Sequence, residues 1–126
     1  MRTAVLLGTI LMCLGSGAVF CQEMTGLQYN GRAWRNLSDQ MKLGYVIGFS
    51  EALGACDDEK LPCHLHFDEI VQGVSRIFDE PENTLLTIRM AIHALAMKSR
   101  GADPAAVEKE LAELRRICRQ LQPQVK

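Results

Sequence analysis

The chain lacks the sequence features that mark most catalytic and nucleic-acid-binding domains. It has no Gly-rich phosphate loop, no serine nucleophile elbow and no helix with the paired histidines of a zinc protease. Its formal charge is only −1, so the composition gives no electrostatic case for binding nucleic acid or an anionic membrane surface. The sequence therefore favours a protein that is not an enzyme, with no cofactor.

A long hydrophobic run is also missing, and the first 21 residues have the layout of a secretory signal peptide. Arg2 is the only charged residue among them, an apolar stretch runs from Ala4 to Leu14, and small residues occupy 15–18. Export machinery recognises this order, whereas a spanning helix needs roughly twenty apolar residues. Cleavage after Ala18 and cleavage after Cys21 both fit. We expect residues 1–21 to be removed and the remainder to be exported, either to the periplasm or out of the cell.

Residues 22–126 predict a single all-α domain. Apolar residues recur at three- and four-residue spacing in four segments, with Ser38 and Asp103 as N-caps of the first and last. Pro81 suits the start of the third segment. The predicted helices are 39–54, 67–78, 82–100 and 104–121. Because no such helix can bury its apolar stripe alone, we expect a compact bundle or array of about four short helices.

The first predicted helix contains two patterns that concern packing. One is an apolar stripe expected to face the core. The other is Gly44 and Gly48, four residues apart, which favours one helix crossing another inside the domain over a close-packed helix dimer. The stripe consists of Met41, Tyr45, Phe49 and Ala52.

Two further segments have predicted environments. Residues 22–35 are expected to be irregular, with Trp34 docking against the first helix as an apolar plug. Arg115, Arg116 and Arg119 in the last helix follow several glutamates at helical spacing, which predicts a solvated face of ion pairs.

Three cysteines follow the second candidate cleavage position, and an odd number leaves at least one without a partner in the monomer. Cys56 and Cys63 bracket a short loop between two predicted helices, so we predict a disulfide between them in an oxidising compartment. Pairing of either with Cys118 remains the alternative. Cys118 lies on an apolar stripe, where a buried thiol behaves as a small hydrophobic side chain.

The Cys63–His66 loop carries the only pattern that suggests a metal. Cys63, His64 and His66 alternate, Asp68 is close by, and His93 is the one further histidine. A tetrahedral zinc site usually takes ligands from paired spacings and a second cluster, which this pattern does not supply. We therefore predict no metal site, and keep a metal-binding or minor enzymatic protein centred on this loop as the alternative function.

Two longer segments carry a resemblance to known proteins. FDEIVQGVSRIFDEPENTLLTIRMAIHALAMKSRGADPAAVEKELAELRR, with the earlier GRAWRNLSDQMKLGYVIGFSEAL, resembles small exported all-helical bacterial proteins of unassigned activity. More remotely, GYVIGFSEAL with its following cysteine resembles immunity proteins of the Tai type, which bind and block cell-wall amidases delivered by type VI secretion. This chain departs from that type in its added charged C-terminal helix and in the position of its second cysteine.

The resemblance and the absence of a catalytic set together favour a protein-interaction module, either an inhibitor or an immunity-like protein. Its partner is an unidentified protein or a second copy of the chain, and contact with a membrane is confined to the signal segment before cleavage. The residues predicted to contact a partner are Trp34, Tyr45, Arg76, Asp79, Glu82 and Asn83.

Overall fold

The computed structural model describes residues 29–54 and 59–122. These residues form five α-helices and a short 3-10 turn, and the prediction of an all-α protein is confirmed. Within the two described ranges there is one isolated β-bridge, which joins Asn30 to Thr87. The helices are α1 (Gly31–Asn36), α2 (Asp39–Leu53), α3 (Phe67–Asp79), α4 (Ile88–Ser99) and α5 (Pro104–Leu121), and the 3-10 turn is Pro81–Asn83.

The predicted signal peptide and both of its cleavage positions lie outside the described residues. Within residues 29–54 and 59–122, none of the helices combines the length and the apolar character that crossing a membrane requires.

Two predicted helix starts are present for the expected reasons. The Ser38 hydroxyl accepts the Met41 amide at 3.3 Å at the start of α2. Asp103 accepts the Ala105 amide at 3.2 Å, and Pro104 occupies the first position of α5. After α4, Gly101 has a φ of 77°, a left-handed conformation that glycine adopts without a Cβ clash.

Helix α1 is a correction, since residues up to Arg35 were predicted to be irregular. It begins because the Asn30 side chain accepts the amides of Arg32 and Ala33 at 3.0 and 3.3 Å. Trp34 on this helix is 1% exposed and does pack on the next helix, with its ring centroid 6.4 Å from that of Tyr45. Its Nε1–H donates to Ser75 Oγ at 3.0 Å, which ties α1 to α3 as well.

The third predicted helix, 82–100, starts six residues later than expected. Pro81 begins the 3-10 turn, and α4 begins at Ile88 after Thr87, whose hydroxyl accepts the Met90 amide at 3.2 Å. Between these two points the chain buries Leu86 completely. The helix starts later than predicted because the intervening residues pack into the core, and a local helix signal such as a capping residue carries no information about that packing.

The core is built around α3, which contacts α1, α2, α4 and the 3-10 turn, while α5 packs on α4 and on the turn. Each large apolar side chain that is fully buried contributes about 1.5–3 kcal/mol to folding. The fully buried side chains include Trp34, Val46, Ile70, Val74, Phe78, Leu86, Ile88, Ile92, Val107 and Cys118.

Helix α2 buries only part of the predicted stripe. Tyr45 and Phe49 are half-buried against the core, whereas Met41 is 59% exposed and Ala52 is also exposed. Val46, outside the stripe, is the one fully buried residue of α2. The expected helix crossing at Gly44 and Gly48 is absent too, because no described atom lies within 4 Å of where a Cβ would stand at either glycine. Apolar side chains occupy several sides of α2, so its spacing alone did not identify the packed side.

Arg115 is the second correction. It was predicted to lie on a solvated face, yet it is 8% exposed and its guanidinium donates to Asn83 Oδ1 at 3.0 Å. The Asn83 side chain is 2% exposed and its Nδ2 donates to the carbonyl of Ile77 at 2.9 Å. Glu108 and Glu82 both pair with Arg115, the latter at 3.4 Å. One buried polar network therefore joins the end of α3, the 3-10 turn and α5.

We predict that Asn83→Ala destabilises the protein by about 1–3 kcal/mol, because it removes the side-chain partner of the Ile77 carbonyl and the Asn83 acceptor of the buried Arg115 guanidinium, which keeps only its glutamates. Urea unfolding monitored by circular dichroism measures this change. The matched control is Asn36→Ala at an exposed asparagine, for which we expect a change within about 0.5 kcal/mol. Equal free energies of unfolding for the two variants would show that the network does not stabilise the fold.

A second prediction concerns Cys118, the free cysteine of the described residues, which is buried. Burial raises the pKa of its thiol, and a backbone hydrogen bond with Thr87 partly opposes that rise. The unfolded thiol loses its proton near pH 8.5, roughly, and the folded one at higher pH. Between the two values the folded state binds more protons, so the free energy of unfolding falls as pH rises.

The stability that Cys118 contributes is therefore complete below the unfolded pKa and is lost as pH rises through the folded pKa. We expect the difference in unfolding free energy between wild type and Cys118→Ala to be smaller at about pH 9.5 than at about pH 7.5. Urea unfolding at both pH values tests this. An unchanged difference would contradict the prediction.

Candidate functional site

The described residues enclose a recess of about 570 Å³ on one side of the bundle. It is formed where the C-terminal half of α2 faces the start of α4. Half-buried apolar side chains and tyrosines meet exposed cationic side chains there, and we call it the tyrosine recess. Its lining residues are Tyr29, Tyr45, Phe49, Lys60, Thr87, Arg89, Met90, His93 and Leu114.

Tyr29 and Tyr45 are held in the tyrosine recess by contacts behind it. The Ile88 amide donates to the carbonyl of Tyr29 at 2.8 Å, next to the bridge between Asn30 and Thr87. Tyr45 stands edge-on against the buried Trp34, with an interplanar angle of 90°. The two tyrosine ring centroids are 6.4 Å apart. The start of α4 therefore holds the backbone of Tyr29, and the core holds the ring of Tyr45.

The environment of Tyr45 keeps its hydroxyl protonated. Burial raises the pKa of Tyr45 most, Tyr29 raises it further, and the positive charge of Arg89 opposes both effects. A neutral phenol at physiological pH can donate a hydrogen bond as well as accept one. The opposing effect of Arg89 also shows that its charge acts on this part of the recess.

Arg89 gives the recess an available positive charge. No carboxylate of the described ranges forms an ion pair with Arg89, whose side chain is exposed at the edge of the recess. Lys60 adds a second cation among the lining residues. Glu110 lies beside the recess, with its carboxylate 3.9 Å from His93 Nε2. Arg89 is thus an exposed cation at the recess that has no ion pair among the described residues.

His93 has a defined orientation in the recess. Its Nδ1 lies 3.1 Å from the carbonyl oxygen of Glu59, and because a carbonyl can only accept, Nδ1 carries the hydrogen. Its Nε2 faces Glu110. Both ring nitrogens are thus directed at protein groups.

A second groove, of about 530 Å³, lies between α2 and α3 and includes Arg76. Its charges are mixed, because Asp39 and Asp68 line it together with Arg76, and Lys42 pairs with Asp39 at 3.5 Å. Leu43 and Val71 supply its apolar part. This groove has no excess of either charge.

The six predicted contact residues do not gather at one place. Tyr45 lines the tyrosine recess and Arg76 lines the second groove. Asp79 and Glu82 are exposed near the 3-10 turn. Trp34 and Asn83 are 1% and 2% exposed, so their side chains belong to the core.

Sequence reasoning missed most of the recess, including Tyr29, Arg89, Met90 and His93. One signal was present, since Arg89 and His93 are four residues apart and so lie on one face of α4. That face is distinct from the buried one that carries Ile88 and Ile92.

The Cys63–His66 loop brings no metal ligands together in the part of the chain that the structure describes, where no group of three or more His, Cys, Asp or Glu side chains is placed to hold an ion. The backbone amide of His66 donates to Glu69 at 2.7 Å at the start of α3. Cys63 is disulfide-bonded. Cys56 lies outside the described residues, so the Cys56–Cys63 pairing stays a prediction.

Comparisons of this chain with protein-family models, with curated proteins and with solved structures find no match. The resemblance to exported helical proteins and to immunity proteins of the Tai type therefore stays a prediction. The function has to be argued from the residues of the site.

Proposed function

We propose that this protein is an exported interaction module that binds another protein through the tyrosine recess and does not act as an enzyme. The observation that carries the proposal is that two tyrosines and an exposed Arg89, which has no ion pair among the described residues, surround one concave surface. Tyrosine and arginine are the residue types most enriched among the few side chains that dominate binding energy at protein interfaces.

The face of α2 beside the recess supports the same proposal. Met41 lies one helical turn before Tyr45 and is 59% exposed, and Tyr29 is 40% exposed. Within the part of the chain that the structure describes, nothing lies within 4 Å of where a Cβ would stand at Gly44 or Gly48, which allows the backbone of a partner to approach closely. An apolar surface that continues beyond a recess suits a protein partner better than a small molecule alone.

The chemistry of His93 favours binding over catalysis. His93 donates from Nδ1 to the Glu59 carbonyl, and no serine or cysteine is among the described residues that line the recess for its Nε2 to activate. The Tyr45 hydroxyl and the Arg89 guanidinium remain as groups that recognise a ligand. An inhibitor or immunity-like role needs no more than such recognition.

Affinity capture from the cell-envelope fraction, followed by mass spectrometry, tests the proposal. We expect one protein to be retained by the wild type and reduced about tenfold or more by Arg89→Glu, because the substitution reverses the charge of a central contact. The matched control is Arg76→Glu, which makes the same change in the second groove and should retain the partner.

The opposite pattern, with loss for Arg76→Glu and retention for Arg89→Glu, would contradict the recess as the contact surface. Circular dichroism and urea unfolding of both variants separate loss of binding from loss of folding. Light scattering of the purified protein identifies the case in which the retained partner is a second copy of the chain.

Export to an oxidising compartment also predicts the state of the cysteines. We propose that Cys63 pairs with Cys56 and that Cys118 stays free. A thiol assay on denatured, unreduced protein comprising residues 22–126 should count one thiol, and the same assay after reduction should count three. Three thiols before reduction would rule the bridge out, and tryptic mapping would identify a bridge to Cys118 instead.

A further inference from the structure

We infer that the tyrosine recess is a binding site for an organic carboxylate that carries an aromatic or branched apolar group. This inference rests on the proposed function, because it concerns the same surface, and it adds the chemical class of the ligand. It follows from the charge, the hydrogen-bond donors and the apolar walls of the same site.

The charge of the recess selects an anion. Arg89 lines the recess, is exposed, and has no carboxylate partner among the described residues. A guanidinium is planar and offers two parallel N–H donors that match the two oxygens of a carboxylate. A cationic ligand or a divalent metal would meet like charge here.

The hydrogen-bond donors select the same group. Tyr45 keeps its proton because of burial and of neighbouring Tyr29, so its hydroxyl can donate to an anion. Arg89 acts electrostatically on that hydroxyl. A carboxylate placed between them would receive one donor from each side of the recess.

The walls of the recess determine what the carboxylate is attached to. Phe49, Met90 and Leu114 are half-buried apolar side chains, and Met90 is backed by Cys118, whose Sγ lies 3.6 Å from its Sδ. Thioether and aromatic surfaces favour an aromatic or branched apolar group. The volume of about 570 Å³ is within the range for a small organic ligand.

The same walls argue against inorganic phosphate. A phosphate dianion is more strongly hydrated than a carboxylate, and three apolar side chains offer it no replacement for its water. A carboxylate that carries an apolar group gains from both Arg89 and the apolar walls. Such a group is found either in a free small acid or at the C-terminus of a protein chain.

Isothermal titration calorimetry with 3-phenylpropionate and with its uncharged amide tests the inference. We expect the acid to bind about tenfold more tightly than the amide, because only the acid engages Arg89. The Arg89→Gln variant should bind the acid about tenfold more weakly and leave the amide unchanged. Arg76→Gln, in the second groove, should change neither.

Two further ligands complete the experiment. N-acetyl-Ala-Ala-Phe with a free C-terminus represents the end of a partner chain, and tighter binding than that of 3-phenylpropionate assigns the carboxylate to a protein. Tighter binding of the free acid assigns it to a small molecule. Equal affinity for acid and amide, no binding of either at about 10 mM, or equally tight binding of inorganic phosphate would each overturn the inference.

These outcomes are distinguishable from failure of the proposed function. If Arg89→Glu abolishes partner capture while no carboxylate binds, the interaction module stands and the ligand class is wrong. If the carboxylate binds through Arg89 but no protein is captured, the ligand class stands and the interaction module is wrong.

Discussion

The described part of the fold depends on the bond between Arg115 and Asn83. Asn83 is the point where the 3-10 turn is attached both to the carbonyl of Ile77 at the end of α3 and to the guanidinium on α5. A buried guanidinium is costly without acceptors, so these partners have to be present together. The bond therefore requires α5 to lie across the turn, which in turn closes the core over α4.

The position of the tyrosine recess follows from the same bond. The chain that leaves Asn83 buries Leu86 and reaches Thr87, which caps α4 and forms a bridge with Asn30. That bridge lies beside the hydrogen bond that holds Tyr29. The α4 side of the recess is thus positioned by the chain that runs from the 3-10 turn to the start of α4.

Local signals predicted the helices well and their junctions poorly. Ser38 and Asp103 act through neighbouring amides, so the sequence alone located the starts of α2 and α5. The start of α4 depends instead on contacts with residues far away in the sequence. The prediction that Arg115 lies in solvent was wrong for a related reason. The glutamates that precede it on the same helix suggested surface ion pairs, whereas its buried partner Asn83 is distant in the sequence. Its position four residues after Leu111, on the buried side of α5, was the available signal.

The same limitation explains why the recess could not be predicted although Tyr45 was selected. Helix α2 is apolar on several sides, so more than one stripe fits a helical period, and packing against α3 decides that Val46 is the buried residue. Tyr45 and Phe49 pack against the core but are only half-buried by it, and their remaining surface forms one wall of the recess. An amphipathic α2 would have buried its whole apolar stripe and left no such wall. The ambiguity in the sequence and the binding surface therefore have one physical cause, which is that α2 carries more apolar surface than the core can cover.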